Sequence, residues 1–195
     1  MLLIRADQLL SQPWRNGGGR TRELLVHPTG TDWRLRVSLA DIEADGPFSS
    51  FPGVERWFAV VEGAGVLLQF SSGERRVCRG DSPLCFDGAT APGCSLIDGP
   101  TRDLNLMVRD GIGAMRQVQA REPWSERFDE RGLFTFSSGH WYQQPAGRRG
   151  TSRQDLGLRL EAYTLLWNLG DSPCRFVPDG QGACGWWLGY SGHSA

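Results

Sequence analysis

The sequence predicts an all-β protein with little helix. Twenty-six glycines and 11 prolines are spread along the 195 residues, and short apolar or alternating segments lie between them. This pattern is typical of many short strands joined by turns. No segment repeats its apolar residues with the 3.6-residue period of a helix over a helix's length. One helical turn is expected at residues 6–10, where Asp7 is a weak capping residue.

Two series of strands follow one another along the chain. The first is predicted at residues 2–5, 21–27, 33–42, 56–62, 65–70, 83–86, 94–97 and 104–109. The second is predicted at residues 115–120, 133–137, 158–160, 162–168, 174–177 and 183–188. Two series of similar strand content indicate two barrel or sandwich halves, with the junction at residues 110–113. The polar stretch 143–154 is expected to be an exposed loop.

The charges and the apolar runs exclude several functions. All 21 basic residues are arginine, so the chain has no lysine for a Schiff base, a general base or a P-loop. A net charge of −1 gives no global basic field for nucleic acid. No apolar run approaches the roughly 20 residues that cross a bilayer, and the charged N-terminus is not typical of a secretory signal. We therefore expect a soluble, cytoplasmic protein with no nucleic-acid or membrane partner.

Cysteine and histidine are placed unfavourably for metal binding. The five cysteines are odd in number and contain no C-x-x-C pair, so we expect free, buried thiols in a reducing compartment. The three histidines, His27, His140 and His193, lie far apart, and no metal-binding histidine motif is present. No G-x-S-x-G motif marks a serine nucleophile. The sequence thus predicts no metal site and no cofactor.

The most unusual segment is PWRNGGGRTRE, at residues 13–23. Three consecutive glycines destabilise a strand or helix interior, because they lose the most backbone entropy on folding. They favour a tight turn, and their N–H groups can also form a concave anion site. Both interpretations are open at this stage.

Alternation sorts the side chains of three predicted strands onto two faces. One face of each strand is polar, and these faces carry Thr21 and Glu23, Arg36 and Ser38, and Asp103 and Asn105. Ala40 and Met107 lie on the same faces. In an ordinary sheet such a face meets water. In a small barrel it lines the interior, where the polar groups must pair with one another or with a ligand.

A rigid turn with two aromatic rings, Phe48 and Phe51, is predicted at residues 46–53. It leads into the apolar strand at residues 56–62. Gly63 and Gly65 then predict a hairpin turn and a return strand.

Four segments in this order resemble the HutD/Ves family of bacterial proteins: PWRNGGGRTREL, RVSLADIEADGPFSSFPGVER, VVEGAG and GPTRDLNLMVR. The resemblance implies a cupin-like double-barrel (bicupin) architecture. Residues 1–112 would form the first barrel and its pocket, and residues 113–195 a degenerate second barrel half packed on it. Residues 51–56 stand where metal-binding cupins carry H-x-H, and Glu62 and Gly63 resemble the end of that motif. The missing histidines imply a metal-free pocket.

The resemblance also implies the residues of the pocket. The positions expected to bind the ligand are Trp14, Asn16, Gly18, Thr21, Glu23, Arg36, Ser38, Phe48, Ser49, Phe51, Arg56, Asp103 and Asn105. HutD members are associated with histidine utilisation and Ves members with environmental stress. The ligand implied is a small acidic metabolite, such as formylglutamate or urocanate, sensed or sequestered in a regulatory role. Arg36 or Arg56 would clamp its carboxylate.

Two other functions are open. A metal-free cupin enzyme, an isomerase or lyase, would use Glu23 and Asp103 as acid and base. An interaction protein would use some of the eight tryptophans, and Trp186 with Trp187 would then lie on a homodimer face or else at a strand end in the core.

Overall fold

The structure, a computed structural model, describes residues 1–143 and 157–192 and is all-β. The strands up to residue 108 are β1 (Leu2–Arg5), β2 (Gln12–Pro13), β3 (Gly19–His27), β4 (Leu35–Ile42), β5 (Gly46–Pro47), β6 (Glu55–Glu62), β7 (Val66–Phe70), β8 (Gly73–Val77), β9 (Leu84–Asp87), β10 (Gly93–Leu96) and β11 (Thr101–Val108). The later strands are β12 (Ile112–Gln117), β13 (Glu130–Thr135), β14 (Gly139–Gln143), β15 (Leu158–Leu160), β16 (Thr164–Trp167), β17 (Cys174–Pro178) and β18 (Gly185–Ser191). Short 3₁₀ turns lie at Ala6–Gln8 and Gly88–Thr90.

The strands form four antiparallel sheets. Residues 12–108 build a six-stranded sheet, in the order β2-β3-β4-β11-β6-β9, and a four-stranded sheet, β5-β10-β7-β8. Later residues build a three-stranded sheet, β15-β14-β17, and most of a five-stranded sheet, β1-β16-β13-β18-β12. Strand β1 is the exception, because it pairs with β16 although it begins the chain. The N-terminal strand therefore ties the first half of the chain to the second.

The largest apolar core lies between the six-stranded and the five-stranded sheets. Alternation directs Val37 and Leu39 of β4, and Leu104 of β11, toward this core. Trp186 and Leu188 contribute from the five-stranded sheet. Two sheets packed face to face in this way exclude water from both apolar faces.

A second core lies between the six-stranded and the four-stranded sheets. Its buried members are Ile42, Phe48, Phe58, Val60, Val66, Leu68, Val77 and Cys94. They fill one end of the space between these sheets. Ile42 ends β4, which has Arg36 near its start, and Val60 lies near the end of β6, which has Arg56 near its start. The polar side chains of the same sheet face are thereby left for the other end.

Several details differ from the sequence-based expectations. Strands β8 and β14 were not expected, because β8 is a run of charged residues and the two aromatic residues of β14 are adjacent in the sequence. The turn at Gly63 and Gly65 is tight, with φ of +90° and +124°, but the predicted hairpin is wrong. Strand β7 leaves for the four-stranded sheet and does not pair with β6. Asp7 does not cap the first 3₁₀ turn, because its carboxylate binds Arg5 instead.

The cysteines are all free, as the sequence predicted. Three of them, Cys94, Cys174 and Cys184, are buried. The expectation of burial is wrong for the other two, since Cys78 is half-buried and Cys85 is exposed.

The tryptophan pair lies in the core, and the predicted loop lies mostly outside the described residues. Trp186 and Trp187 are 1% and 3% exposed, so they pack in the core and not on a surface where a partner would meet them. Of the predicted loop at 143–154, only Gln143 is described, and it ends β14; the rest of that loop and His193 lie outside the described residues. No helix in the described part of the chain is long and apolar enough to cross a membrane.

Candidate functional site

A cavity of about 530 Å³ lies against the polar face of the six-stranded sheet. Its lining residues are Gln12, Pro13, Trp14, Arg15, Asn16, Thr21, Arg36, Ser38, Ala40, Pro47, Phe48, Ser49, Phe51, Arg56, Asn105 and Met107. The volume falls in the range of about 300–1,000 Å³ that is usual for small-molecule sites. Thr21, Arg36, Ser38 and Asn105, which belong to the polar face that alternation predicts on β3, β4 and β11, therefore line a cavity.

The glycine-rich segment forms one wall of this cavity as a tight turn between β2 and β3. The backbone N–H of Trp14 donates to the carbonyl of Gly19 at 2.9 Å, and that of Gly17 donates back to Trp14 at 3.0 Å. The N–H of Gly18 donates to Oδ1 of Asn16 at 3.1 Å. Because the turn uses the N–H groups of Gly17 and Gly18 itself, the anion-binding interpretation of these two groups is wrong.

Glycine is required here by the close approach of the turn to the end of β4. The carbonyl of Gly18 accepts from the N–H groups of Glu43 and Ala44, at 2.9 and 3.2 Å. A Cβ on Gly19 would collide with the carbonyl oxygen of Asp41 and would stand 3.1 Å from the ring of Trp14. The ring is held from its other side, since its Nε1 donates to Oγ1 of Thr21 at 2.7 Å. The turn therefore fixes Trp14 against the cavity.

Three neighbouring strands place two arginines at the same level of the sheet. In register, Arg36 of β4 is opposite Met107 of β11, which is opposite Arg56 of β6. All three line the cavity. Adjacent strands are about 4.8 Å apart, so the two arginine backbones stand roughly 10 Å apart with Met107 between them. This spacing lets two guanidinium groups converge on one ligand from either side.

Arg56 is the more deeply buried of the two arginines. Its side chain is 8% exposed. Its Nε donates to Oδ1 of Asn105 at 2.8 Å, and its guanidinium lies over the rings of Phe48 and Phe86, 4.3 and 5.5 Å from their centroids. Burial lowers the pKa of Arg56 to about 10, so it stays positive at neutral pH. None of the salt bridges among the described residues includes Arg56, which makes it a buried cation without an ion-pair partner.

Arg36 is partly neutralised. Its terminal nitrogen lies 3.0 Å from Oε1 of Glu23, which is more exposed than Arg36. Its Nε is buried and has no hydrogen-bond partner among the described residues. A buried donor without a partner is costly, by about 1–3 kcal/mol, and is the kind of group that a ligand satisfies.

Asp103 is 1% exposed and does not belong to the cavity lining. Its Oδ1 accepts from Nδ2 of Asn105 at 2.5 Å, and its Oδ2 has no partner among the described residues. Burial raises the pKa of Asp103 to about 7, against the opposing effects of Arg56 and Asn105. Asn105 therefore stands between a cation and a carboxyl group, and binds one through each end of its amide.

The structure brings ten of the 13 predicted site residues into the lining and leaves Gly18, Glu23 and Asp103 outside it. Gly18 shapes the turn, Glu23 holds Arg36, and Asp103 accepts a hydrogen bond from Asn105. Glu23 and Asp103 are thus not brought together as an acid–base pair on the cavity wall.

Six lining residues were not predicted: Gln12, Pro13, Arg15, Ala40, Pro47 and Met107. Ala40 and Met107 lie on the faces that alternation had marked as polar, so that signal was available. The others belong to the turn or to the two-residue strands β2 and β5, which are too short to produce a periodic pattern.

The charge of the lining is one-sided. Among the described residues it contains three arginines, Arg15, Arg36 and Arg56, and no Asp, Glu, His or Cys. In residues 1–143 and 157–192, no group of three or more His, Cys, Asp or Glu side chains is arranged to hold a metal ion. Carboxylates, imidazoles and thiolates are the usual protein ligands of divalent metals. The cavity wall therefore offers donors to an anion and no ligand set for a metal.

The fold defines the class of protein first. The chain is similar to oxalate decarboxylase of Bacillus subtilis, a protein with Mn(II) centres, with a TM-score of 0.62 at 10% identity over 100% of this chain and 78% of that one. This likeness shows a cupin-like β fold. The chain belongs to the HutD family, whose family model matches residues 6–182. The family resemblance drawn from four sequence segments is thereby confirmed.

Relatives in sequence and structure agree with this assignment. The chain is 36% identical to the protein Ves of Citrobacter koseri over 132 residues, 66% of this chain and 68% of that protein. It is 36% identical to an uncharacterised 21.2 kDa protein in the hutC 3′ region of Pseudomonas putida, over 63% of each chain. HutD from Pseudomonas fluorescens, in a formate condition, has a TM-score of 0.77 at 27% identity, and the match covers 98% of this chain and 99% of that one.

Proposed function

We propose that this protein binds a small carboxylate metabolite without a metal ion. The ligand would occupy the cavity that residues of β2 to β6 and of β11 line. Binding would serve a regulatory role, in which the protein senses or sequesters that metabolite. The observation that carries this proposal is the buried guanidinium of Arg56. It has no ion-pair partner in the part of the chain that the structure describes, and the described lining of its cavity includes no acidic side chain. Buried charges in proteins are nearly always paired.

The second arginine adds geometry to this charge. Arg36 stands across Met107 from Arg56 and has a buried Nε without a partner among the residues described. Each hydrogen bond between a guanidinium and a carboxylate contributes about 1.5–3 kcal/mol. Trp14, Phe48 and Phe51 provide apolar walls that lower the local dielectric and strengthen those bonds.

We propose an acidic intermediate of histidine degradation, such as formylglutamate or urocanate, as the ligand. One relative is encoded in the hutC 3′ region, and one similar structure is that of a HutD in a formate condition. Both candidate compounds carry a carboxylate, which is the group that two convergent arginines recognise best. The Mn(II) centres of the oxalate decarboxylase have no counterpart in the donor types of this lining.

We also propose that the two halves of the chain correspond to the two barrels of a bicupin. The six- and four-stranded sheets would be the first barrel, within residues 1–112, and the five- and three-stranded sheets the second, within residues 113–195. The pairing of β1 with β16 supports a version in which the N-terminal strand is exchanged into the second barrel.

The test is thermal unfolding of the full chain with N-formyl-L-glutamate, urocanate, L-glutamate, formate and L-histidine, and with MnCl₂ in the presence or absence of a chelator. A compound present at about 100 times its Kd adds about 2.7 kcal/mol to the free energy of unfolding. For a chain of this size that raises Tm by about 5–10 °C. We expect such a shift with at least one carboxylate, unchanged by the chelator.

Two variants and a control decide whether the arginines are responsible. Arg36→Met and Arg56→Met each remove one guanidinium from the wall and should weaken binding of the active compound at least about tenfold. Arg20→Met removes an exposed arginine from the same sheet, outside the cavity, and should leave binding unchanged. Full affinity in both cavity variants, or stabilisation by manganese alone, would overturn the proposal.

A further inference from the structure

We propose that carboxylate binding beside Arg56 is coupled to the uptake of a proton by Asp103. This inference rests on the proposed function, because it names what happens inside the same site when the anion arrives. It is carried by the buried row Arg56–Asn105–Asp103, in which one amide separates the cation from the carboxyl group.

In this row the positive charge of Arg56 and the negative charge of an ionised Asp103 are separated by the amide of Asn105. Arg56 donates to Oδ1 of Asn105, and Nδ2 of Asn105 donates to Oδ1 of Asp103. In the described part of the chain, Arg56 and Asp103 form no direct salt bridge with each other. Each therefore supports the charge of the other only across the amide, through a medium of low dielectric constant.

An arriving carboxylate changes this balance. It neutralises Arg56, so an ionised Asp103 loses the cation that stabilised it and meets a second negative charge near by. Oδ2 of Asp103 is buried without a partner among the described residues, so it is the oxygen that can hold a proton. The proton binds that oxygen, no covalent bond of the protein or the ligand breaks, and the site gains one negative and one positive charge.

Among the titratable groups around the row, Asp103 is the one whose protonation changes near neutral pH. Arg56 faces it from β6, Asp41 influences it from β4, and Cys94 lies near it on β10. The pKa of Cys94 is raised to about 12 by burial, with Asp103 and Asp45 adding to the effect. Burial opposes the ionisation of Asp41, but hydrogen bonds from Arg102 and Arg22 outweigh it and lower its pKa.

Two further charged groups complete these surroundings. Arg36 on β4 repels Arg56 and is held by Glu23 on β3.

Burial places the pKa of Asp103 at about 7 in the free protein, so part of the molecules hold it ionised at neutral pH. The bound anion raises that pKa further. Proton uptake is then greatest above pH 7 and vanishes at pH 5.5, where Asp103 is already protonated. Affinity falls by up to about tenfold per pH unit above pH 7.

The experiment is isothermal titration of the full chain with N-formyl-L-glutamate and, separately, sodium formate, in two buffers of different ionisation enthalpy. We expect uptake of about one proton per bound anion at pH 8 and close to none at pH 5.5. Both compounds are fully ionised over this range, so the proton does not come from the probe. Binding that is independent of pH from 6 to 8.5, without proton uptake, would overturn the inference and leave the proposed function intact.

Variants assign the proton to Asp103. Asp103→Asn imitates the protonated carboxyl group, so it should bind the probe without proton uptake and about tenfold more tightly than the wild type at pH 8. Cys94→Ala removes the neighbouring thiol and should keep the wild-type pH dependence. Undiminished proton uptake in a folded Asp103→Asn variant would show that the proton binds a group other than Asp103. Should that variant not fold, the wild-type titration still decides the coupling. Failure of N-formyl-L-glutamate, urocanate, L-glutamate and formate alike to bind at any pH would refute the proposed function as well.

Discussion

Arg56 and Asn105 are joined by a hydrogen bond of 2.8 Å from Nε to Oδ1, although 49 residues separate them in the sequence. Adjacent strands, β6 and β11, bring them together on the cavity side of one sheet. The bond uses the Nε of the guanidinium and fixes the plane of the group against Phe48. It leaves the two terminal nitrogens of Arg56 available to a ligand, since neither donates to any residue that the structure describes.

Replacement of Asn105 tests how much this bond contributes. Asn105→Leu leaves the buried Nε of Arg56 without an acceptor, which should lower the free energy of unfolding by about 1–3 kcal/mol. It should also weaken carboxylate binding, because Arg56 is no longer held in one orientation. Chemical denaturation and calorimetry measure the two effects. Ser38→Ala changes the residue opposite Asn105 in β4 and should alter stability by less than about 1 kcal/mol. Equal losses in the two variants would contradict this account.

The docking of the glycine turn predicts a difference between two glycines. Gly19→Ala forces a methyl group against the carbonyl of Asp41 and the ring of Trp14, so it should cost about 1–3 kcal/mol and displace Trp14 from the cavity. Gly17 has φ of +70° and open space around its Cβ position, so Gly17→Asn, which tolerates that backbone, should cost less than about 1 kcal/mol. Urea unfolding and tryptophan fluorescence distinguish the two, and a Gly19→Ala protein with wild-type stability would refute the steric argument.

The carboxylate of Asp41 predicts a pH-dependent contribution to stability. It accepts from Arg22 at 2.7 Å and from Arg102 at 2.5 Å. Burial opposes its ionisation, but these bonds outweigh that effect and lower its folded-state pKa. A lowered pKa means that the stabilisation is present above the unfolded-state value and is lost as the pH falls through the folded-state value. Asp41→Asn should therefore cost about 1–2 kcal/mol at pH 7 and progressively less below about pH 4.

A control for Asp41 is available at the start of the chain. Asp7 binds Arg5 in an exposed pair, and exposed pairs contribute little, typically below about 1 kcal/mol. Asp7→Asn should accordingly have a small effect at every pH. The measurement is urea denaturation of both variants between pH 3 and pH 8. A constant difference between Asp41→Asn and wild type across that range would show that the charge of Asp41 is not what stabilises the fold.

Arg131 supports the second half of the chain and not the cavity of the first. Its side chain is 2% exposed. It donates to the carbonyls of Gly170, Ser172 and Trp124 at 2.6, 2.9 and 3.0 Å, and it lies 4.4 Å from the centroid of the Trp124 ring. Arg131→Met leaves three carbonyls without this donor and should destabilise the protein by about 3–5 kcal/mol.

The affinity for a carboxylate distinguishes the structural role of Arg131 from the ligand-binding role proposed for Arg56. At temperatures where Arg131→Met is folded, its affinity for a carboxylate should equal that of the wild type, because the side chain does not belong to the cavity lining. Arg116→Met, at a half-exposed arginine, should change stability by less than about 1 kcal/mol. A strong loss of carboxylate affinity in the Arg131 variant would show that the two halves are coupled.

Much of the site was predictable because alternation is a local property of strands. Thr21, Arg36, Ser38 and Asn105 were placed on polar faces from the sequence, and all four line the cavity. Glu23 and Asp103 share those faces but do not line it. Asp103 is buried with its carboxylate bound to the amide of Asn105, and Glu23 is held in an ion pair with Arg36. Neither outcome follows from spacing along one strand.

The sequence by itself determined the all-β class, the family, the absence of lysine and the polar and apolar face of each main strand. These properties depend on composition and on the period of two residues, which every strand shares. Only the tertiary structure decided that residues of the polar face line a cavity, that Arg56 is buried without an ion-pair partner among the described residues, and that Asp103 titrates near neutrality. Burial and pairing depend on which distant strands become neighbours, and the charge of a buried group follows from that arrangement.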